Sequence, residues 1–383
     1  MMATIKSVSN FVGDGNWIES KDQSTSGIRL IQTGNIGVGT YLDKVNRAKY
    51  ISEQTFSQLN CTEVLPGDIL ISRLPDPVGR ACVVPDRMGK AITAVDCTII
   101  RLNPEVIDSQ FFINFTQSSK YFEQLQQFLT GTTRTRISRK NLEKIEIPIP
   151  SLNKQRETAR VLDQVTTLLH LRKQQLAKLD ELVKARFVEM FSACTPKDKL
   201  GNMVSVSRGA SPRPISAYVT EDIDGVNWIK IGDVPENSLY IEHTKEKITL
   251  EGAKKSRYVY KGDFILSNSM SFGRPYILNI DGCVHDGWLI ISDYLATFHP
   301  LYLYYAIRDF EVQSQFSEKV NGATVKNLNS DLVKSTLIKV PPMELQQQFS
   351  ESVLKMEQTK LTIQQSLDKL ELLKKSLMQE YFE

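Results

Sequence analysis

Cysteine is scarce in this chain of 383 residues and is not arranged for bonding or for metal binding. The five cysteines are odd in number and scattered, and none is spaced as C-x-x-C: Cys61, Cys82, Cys97, Cys194 and Cys283. A disulfide framework and a zinc site are therefore not expected, and the pattern favours a reducing compartment.

Long apolar runs are also missing. No stretch of about 18 uninterrupted apolar residues is present, as a membrane-spanning helix would require. The residues that follow Met1 lack the apolar core of a secretory signal peptide. We therefore expect a cytoplasmic protein without a membrane partner.

A strong charge of either sign is missing as well, since the net charge is +3. Such a balance does not exclude a polyanionic partner, because a protein can bind one through a local basic stripe. Residues 120–160 provide one candidate, with nine Lys and Arg against four Glu and no Asp. We interpret this excess as an edge that faces phosphate groups; the alternative is the solvated face of a helix.

Signature motifs of enzymes are absent too. There is neither a phosphate-binding loop of the G-x-x-x-x-G-K-[ST] kind nor a G-x-G-x-x-G unit for a dinucleotide. Asn103-Pro104-Glu105 resembles the start of the adenine methyltransferase motif N-P-P-[FY], but Glu105 replaces the second proline and the aromatic residue is missing. The four histidines lie in separate contexts without a metal-binding spacing. We therefore predict a protein that is not itself an enzyme and that binds neither a metal nor a cofactor.

What the chain does contain is one unit in two copies. Gly131 to Phe191 aligns with Gly322 to Phe382 at a constant offset of 191 residues, without a gap. This period is far longer than the roughly 20–50 residues of solenoid or propeller repeats. It indicates two whole domains in tandem, each followed by its own helix. Such a chain presents two similar surfaces related by an approximate two-fold axis, which suits the recognition of a bipartite target.

The alternation of short strand segments with long helical segments predicts an α+β fold. Short strands separated by Gly, Pro, Asn and Asp precede each long stretch without Pro or Gly. We predict domain one at residues 1–150, a helix at 151–194, domain two at 195–341 and a second helix at 342–383. The expected architecture is two tandem strand-rich domains separated by a long antiparallel coiled coil of two helices, with a pseudo-two-fold internal repeat.

An apolar stripe with a spacing of three and four residues marks each long helix. Two such stripes in one chain most simply pair with each other as a coiled coil; the alternative is that each helix packs back on its own domain. The predicted pairing residues are Leu162, Val165, Leu169, Leu176, Leu179 and Val183 in the first helix, and Val353, Met356, Ile363, Leu367, Leu370 and Leu377 in the second.

The repeated segments resemble a known family. Gly131-Thr132-Thr133 through Gln155, Gly322-Ala323-Thr324 through Gln346, and a long helix that ends in Phe are similar to the DNA specificity (S) subunit of type I restriction-modification systems. Val206 to Pro214 also resembles the opening of a target recognition domain in that family, whereas Val8 to Gly15 in the first half departs from it.

The resemblance implies two target recognition domains, each of which reads one part of a split sequence in double-stranded DNA. The paired helices would hold these domains apart and dock two modification (methyltransferase) subunits, through which restriction subunits would join. S-adenosylmethionine, ATP and Mg would then bind the partner subunits, and this chain would need no cofactor.

Candidate DNA contacts follow from the basic and amide residues of both halves. Arg80 and Arg274 follow Gly79 and Gly273, where a missing side chain would let the backbone approach DNA phosphates. Arg73 in one half answers Asn268 in the other, and these residue types pair with guanine and adenine respectively. The full set is Arg73, Arg80, Arg134, Arg136, Arg139, Lys140, Arg208, Arg213, Asn268, Arg274, Lys326 and Asn327; for each, the alternative is a solvated charge or a turn residue.

Two other classes of function stay open from the sequence. A self-sufficient nucleic-acid enzyme with diverged motifs would methylate or cleave DNA without a partner. A coiled-coil scaffold that joins proteins would show no preference between a specific and a random duplex at moderate salt.

Overall fold

The computed structural model describes residues 1–131, 135–194, 196–234, 238–268, 273–321 and 327–382, with only the backbone for residues 319–321. The chain forms two compact units. Unit one consists of Met1–Lys173 and Gln365–Glu383, and unit two consists of Gln174–Gln364. Each unit therefore contains one strand-rich domain and part of both long helices. The sequence-based boundaries, which set the helices apart from the domains, stay a prediction.

Unit one is built on three small sheets. Its strands are β1 (Met2–Thr4), β2 (Ser9–Asp14), β3 (Ile28–Ile31), β4 (Lys49–Ile51), β5 (Ile69–Ser72), β6 (Ala81–Val83), β7 (Ala91–Thr93), β8 (Cys97–Leu102) and β9 (Glu146–Pro148). Its helices are α1 (Glu53–Gln58), α2 (Ser109–Phe115), α3 (Ser119–Phe128), α4 (Arg139–Leu142) and the start of α5 (Leu152–Phe191). The strand orders are β2-β8-β5-β6, β4-β3-β7 and β1-β9.

Unit two repeats this plan. Its strands are β10 (Lys197–Lys199), β11 (Ser205–Arg208), β12 (Val219–Thr220), β13 (Val226–Ile229), β14 (Tyr240–Ile241), β15 (Glu246–Ile248), β16 (Arg257–Val259), β17 (Phe264–Ser267), β18 (Pro275–Leu278), β19 (Gly282–Val284), β20 (Trp288–Ser292) and β21 (Leu337–Lys339). Its helices are α6 (Leu250–Lys254), α7 (Pro300–Arg308), α8 (Phe310–Asn321), α9 (Ser330–Lys334) and the start of α10 (Met343–Phe382).

The sheets of the two units share a common set of strands. The order β11-β20-β17-β18 in unit two corresponds to β2-β8-β5-β6 in unit one, and β15-β13-β19 corresponds to β4-β3-β7, while β14, β12 and β16 extend the sheets of unit two. The pairs β3/β7 and β13/β19 are both parallel. The internal repeat therefore extends through both domains, well beyond the segments in which the sequences align without gaps, and the predicted α+β fold is confirmed.

Each long helix has 40 residues and starts at an equivalent position. A proline two residues before α5 ends the preceding strand and disfavours helix before it. The first turn is fixed by a buried glutamine: the side-chain amide of Gln155 donates to the carbonyls of Val106 and Pro150 and accepts from the backbone N–H of Asp108. Gln346 makes the same three kinds of hydrogen bond at the start of α10.

The end of each helix packs on the domain that precedes the other helix. Phe382, at the end of α10, lies 5.2 Å from Phe111 and 5.8 Å from Phe115, measured between ring centroids in unit one. In unit two, Phe191 at the end of α5 lies 5.5 Å from Phe349. The two helices are therefore antiparallel within each unit, and each unit is completed by residues that are distant in sequence.

Charged residues flank these antiparallel contacts. Lys173 pairs with Glu371 at 3.2 Å in unit one. In unit two, Lys360 pairs with Asp180 and with Glu357, at 2.5 and 2.7 Å. The Lys360 side chain is only 18% exposed, so these carboxylates compensate a charge that has been removed from most of its water.

The helical segment after β8 is divided into α2 and α3, because the hydroxyl of Ser118 accepts from the backbone N–H of Tyr121 and starts a new helix there. In unit two, Trp228 and Trp288 belong to the core and are 2% and 0% exposed. Among the described residues, no helix is long and apolar enough to cross a membrane.

Candidate functional site

In unit two, three of the sequence-predicted residues converge on one carboxylate residue, Asp286. The guanidinium of Arg208 donates to the backbone carbonyl of Asp286 at 3.0 Å, and the amide of Asn268 donates to the same carbonyl at 2.9 Å. Arg213 donates to the carboxylate at 3.1 Å, and the hydroxyl of Ser211 donates to its other oxygen at 2.8 Å. The hydrogen bond from Ser211 first of all, and also the positive charge of Arg213, lower the pKa of the Asp286 carboxyl. Sequence reasoning missed Asp286, which has no motif of its own.

The sheet brings this cluster together. Arg208 is the last residue of β11, Asn268 directly follows β17, and Asp286 lies in the turn between β19 and β20. The strands β11, β20 and β17 are neighbours, so residues at their ends become adjacent. Directly after β11, the backbone at Gly209 passes close to His285. A side chain on Gly209 would begin 2.2 Å from the carbonyl oxygen of His285. The cluster borders a cleft of about 750 Å³.

Exposure divides the predicted residues of this cluster into two groups. Arg208 is exposed, and the Arg213 side chain is 81% exposed. Asn268 is only 3% exposed, and its amide is engaged with Asp286. In this structure Asn268 holds the end of β17 against the β19–β20 turn, so its amide would have to leave Asp286 to reach an adenine. The adenine contact of Asn268 stays a prediction.

Unit one carries a different cluster at the corresponding strand ends. Asp14, the last residue of β2, lies 3.6 Å from the guanidinium of Arg73 and 3.8 Å from that of Arg139. The hydroxyl of Thr98 donates to the Asp14 carboxylate at 3.0 Å, and Arg139 also pairs with Glu143 at 3.3 Å. The Arg73 side chain is 16% exposed and that of Arg139 is 39% exposed. Arg139 therefore has the freer guanidinium, and Arg73 would have to leave Asp14 to reach a guanine.

The guanidinium of Arg80 is occupied by backbone carbonyls of the protein itself, and its predicted phosphate contact stays a prediction. The residue is 9% exposed, and its guanidinium donates to the carbonyls of five backbone positions. The accepting carbonyls belong to Thr33, Ile36, Leu74, Pro75 and Pro77. Arg80 thus ties the loop after β5 to the segment after β3, because these carbonyls have no strand partner.

The two glycines beside the matched arginines also face the protein. A side chain on Gly79 would begin 2.3 Å from Leu125 of α3, and one on Gly273 would begin 2.9 Å from Phe316 of α8. Both residues have positive φ angles, of 85° and 78°, which favour glycine. The glycines are needed here for helix packing and for the turn. A backbone approach to DNA at these positions stays a prediction. Arg274 is half-buried.

The remaining basic and amide candidates lie at the surface or outside the described part of the chain. Arg136 is exposed before α4, Lys140 is exposed within α4, and Asn327 is exposed before α9. Arg134 and Lys326 fall outside the described residues. The assignment of Arg136, Lys140 and Asn327 to DNA stays a prediction.

The predicted helix-pairing residues all lie on the inner face of the helices, and none of them is exposed. Those that are buried are Leu162, Val165, Val183, Val353, Ile363 and Leu367, and those that are half-buried are Leu169, Leu176, Leu179, Met356, Leu370 and Leu377. Leu162 belongs to the core of unit one and Val183 to the core of unit two. Residues near the start and the end of the first apolar stripe therefore pack in the domain cores as well as between the helices.

Two half-buried histidines stabilise unit two in their neutral form. His285 faces backbone N–H groups with both ring nitrogens, that of Gly287 at 2.7 Å and that of Ile231 at 3.2 Å, and the neutral ring can accept from one of the two. The Nδ1 of His299 accepts from the backbone N–H of Leu301 and so caps α7. Burial lowers the pKa of both rings, and a protonated ring accepts no hydrogen bond.

The stability of unit two is expected to fall as the pH is lowered from about 7.5 to 5.5, across the ordinary histidine pKa of about 6.5. Because the folded-state pKa of His285 and His299 is lowered, the unfolded chain binds protons in this window that the folded unit does not. The stabilisation is complete above the unfolded-state pKa and is lost towards the lower folded-state pKa. The midpoint of thermal unfolding, measured across this range, should decline.

His299→Asn is the matched control, since asparagine can still cap a helix but does not titrate. Its thermal midpoint should decline less than that of the wild type over the same range. The assignment fails if the wild type and the double variant His285→Asn, His299→Asn decline equally.

Among the described residues, no group of three or more His, Cys, Asp or Glu could hold a metal ion. In both clusters, guanidinium and hydroxyl groups contact one aspartate. Exposed guanidinium groups of this kind bind phosphate oxygens and the edges of bases.

Comparison with known proteins gives a consistent result. A sequence model of the type I restriction modification DNA specificity domain matches residues 2–181 and 198–372. A Haemophilus influenzae protein described as a type I restriction enzyme specificity subunit, S.HindORF215P, is 23% identical over 265 residues. The matched stretch covers 63% of this chain and 62% of that relative, which is less than two thirds of its length.

Solved structures share the fold. A structure described as the basis of complex assembly and conformational transition of the type I R-M system has a TM-score of 0.64 and 15% identity, over 99% of this chain and 96% of that one. The type I restriction-modification system S subunit from M. genitalium has a TM-score of 0.59 and 14% identity, over 100% and 96%. At these identities the likeness concerns the fold alone.

Proposed function

The chain belongs to the type I restriction modification DNA specificity family, and from this membership we propose that it is the sequence-reading subunit of a type I restriction-modification complex. Each strand-rich domain reads one half of a bipartite target in double-stranded DNA. Membership of this family implies a non-catalytic role. Methyl transfer, ATP hydrolysis and cleavage then belong to partner proteins, which bind S-adenosylmethionine, ATP and Mg.

One observation carries the proposal: the two domains share a scaffold but place different side chains at corresponding strand ends. Domain one has Asp14 at the end of β2 and Arg73 after β5, whereas domain two has Arg208 at the end of β11 and Asn268 after β17. A common scaffold with different surface groups is what two readers of different half-sequences require, since base identity is read by specific side chains in the groove.

The long helices support a second part of the proposal, a fixed spacing between the readers. A continuous helix of 40 residues is about 60 Å long at 1.5 Å per residue. Both α5 and α10 contribute residues to both units. We propose that this helix pair measures the unread spacer between the half-sequences, much as dimer geometry sets half-site separation.

The helices also offer surfaces for two modification subunits. Leu182 of α5 and Leu373 of α10 are equivalent in the internal repeat, and they are 51% and 45% exposed. Exposed leucines do not contribute to the core of the chain. Exposed apolar surface at repeated positions is typical of interaction sites. Two equivalent docking positions, one for each modification subunit, account for them.

Mapping of methylated motifs in cells with and without the gene tests the proposal. A bipartite motif should disappear when the gene is deleted and return when it is supplied again. Methylation by the purified chain without partners would favour the self-sufficient enzyme instead. A methylated motif that persists after the gene is deleted would contradict the proposal and favour the scaffold.

Exchange of residues 1–150 for the corresponding domain of a relative is expected to change one half of the methylated motif and to leave the other half intact. The reason is that the candidate contacts of domain one lie within one compact unit. The exchange should retain Phe111 and Phe115, because Phe382 at the end of α10 packs on both. Exchange of residues 195–341 is the reciprocal control; a change in both halves from either exchange would contradict independent readers.

A further inference from the structure

Trp17 differs from the other tryptophans in its exposure. The chain has three tryptophans, all in described segments. Trp228 and Trp288 are 2% and 0% exposed, whereas Trp17 is 71% exposed. A large apolar ring in solvent does not contribute to a core, and tryptophan is typical of binding surfaces, where its area contacts a partner.

The backbone on both sides of Trp17 is held in place. A side chain on Gly15 would begin 2.3 Å from the carbonyl oxygens of Thr93 and Ala94, so the chain passes directly against that segment. The backbone N–H of Asn16 donates to Thr93 at 2.9 Å, and its side chain accepts from the N–H of Thr62 at 2.9 Å.

After Trp17, the chain is anchored again. Ile18 packs against the buried cluster that contains Ile28 and Leu30. The indole N–H of Trp17 lies 3.4 Å from the Glu19 carboxylate, which pairs with Lys21 at 2.9 Å. The ring is therefore displayed from a fixed loop, and little conformational entropy would be lost when a partner contacts it.

This loop adjoins the charge cluster of domain one. It starts at Asp14, which lies 3.6 Å from Arg73. Arg73 also donates to the carbonyl of Val95, and its backbone N–H donates to that of Asp96. Asn16 and Arg73 thus bond to the same short segment, residues 93–96, so Trp17 and the arginine cluster belong to one surface region.

Domain two has a counterpart with a different chemistry. Gly209 corresponds to Gly15, since each follows the edge strand of its sheet and lies against a carbonyl at the end of the corresponding strand, β19 or β7. The loop after Gly209 displays Arg213, with its side chain 81% exposed. Each domain therefore presents a large exposed side chain shortly after this glycine, an indole in the first and a guanidinium in the second.

We propose that Trp17 is a specificity-determining residue that contacts bases of the half-target read by domain one; this rests on the proposed function. The indole is apolar, so it suits the face of a base or the methyl group of thymine, and not a phosphate. Domain two, with Arg213 at the corresponding loop, reads its half through hydrogen bonds. The two halves of the target therefore differ in the kind of contact that discriminates them.

Fluorescence of the chain assembled with its modification subunits tests this directly, because Trp17 is the exposed tryptophan and the difference from Trp17→Phe isolates its emission. A duplex that carries the methylated motif should change this difference signal, whereas addition of the modification subunits without DNA should not. A change on partner addition that DNA does not alter further would make Trp17 a protein contact and overturn the proposal.

Binding and motif mapping complete the test. Trp17→Ala should weaken binding of the motif duplex about tenfold, the typical effect of losing one aromatic base contact, and should relax the motif only in the half that follows domain one. Val45→Ala, at a residue 66% exposed in the same domain, is the control and should have neither effect. An unchanged motif and affinity in Trp17→Ala, while gene deletion still abolishes the motif, would refute the role of Trp17 and leave the proposed function intact.

Discussion

Insertion of four residues into both long helices, between Lys173 and Gln174 and between Gln364 and Gln365, should lengthen the unread spacer of the DNA target by one or two base pairs. These are the points at which α5 and α10 pass from one unit to the other. Four residues add about 6 Å of helix and slightly more than one turn. One base pair occupies about 3.4 Å along the duplex, so both half-sequences should persist in the methylated motif with a longer spacer.

The apolar stripes should tolerate this change. Four residues rotate the helix by about 400°, which leaves a phase error of about 40° and some loss of stability. Insertion into α5 alone is the control. It should give no new spacer, because α10 still joins the two units at its original length, and it should lower the unfolding midpoint instead. Full activity with an unchanged spacer in the matched double insertion would show that the helices do not set the distance.

Phe382→Ala is expected to destabilise unit one by about 3–5 kcal/mol, the usual loss for a buried phenylalanine. Phe382 is the last described residue of the chain, yet it is 2% exposed and packs in the core of unit one with Phe111 and Phe115. Removal of the ring leaves a cavity between α10 and α2. Amide hydrogen exchange, followed unit by unit, should show faster exchange in α2 and in β1, at the other end of the sequence.

Phe191→Ala is the matched variant, because Phe191 occupies the equivalent repeat position and is 0% exposed. It should speed exchange in unit two, where Phe191 packs on Tyr302 and Phe349. Leu372→Ala, at a residue 69% exposed on α10, should change neither unit by more than about 0.5 kcal/mol. Loss of protection in unit two on Phe382→Ala would contradict the exchange of helix ends between the units.

The candidate site could be predicted from the sequence only in part. Arg208 and Arg213 were found because their segment resembles a family motif, and the structure places them together at exposed positions. Asp286 and Trp17 were not found, because a single aspartate or tryptophan carries no local pattern. Arg80 and Asn268 were assigned to DNA from residue type and from correspondence between the halves. Residue type does not reveal that both side chains are buried and donate to backbone carbonyls in this structure.

The amino-acid sequence by itself determined the tandem repeat, the two 40-residue helices and their starts. These features depend on local periodicity, on proline and on glutamine at fixed positions, all of which can be read within a few turns of chain. Family membership follows from the same repeated segments.

Only the tertiary structure decided which polar groups are free and which residues complete each unit. The guanidinium of Arg80 is occupied by carbonyls 44 and 47 residues away in the sequence, and the core of unit one is closed by Phe382. Burial depends on such distant partners, because a side chain is shielded by whatever the fold packs against it. The exposed part of the candidate site is therefore set by long-range packing, whereas the tandem repeat and the long helices follow from the local pattern of the chain.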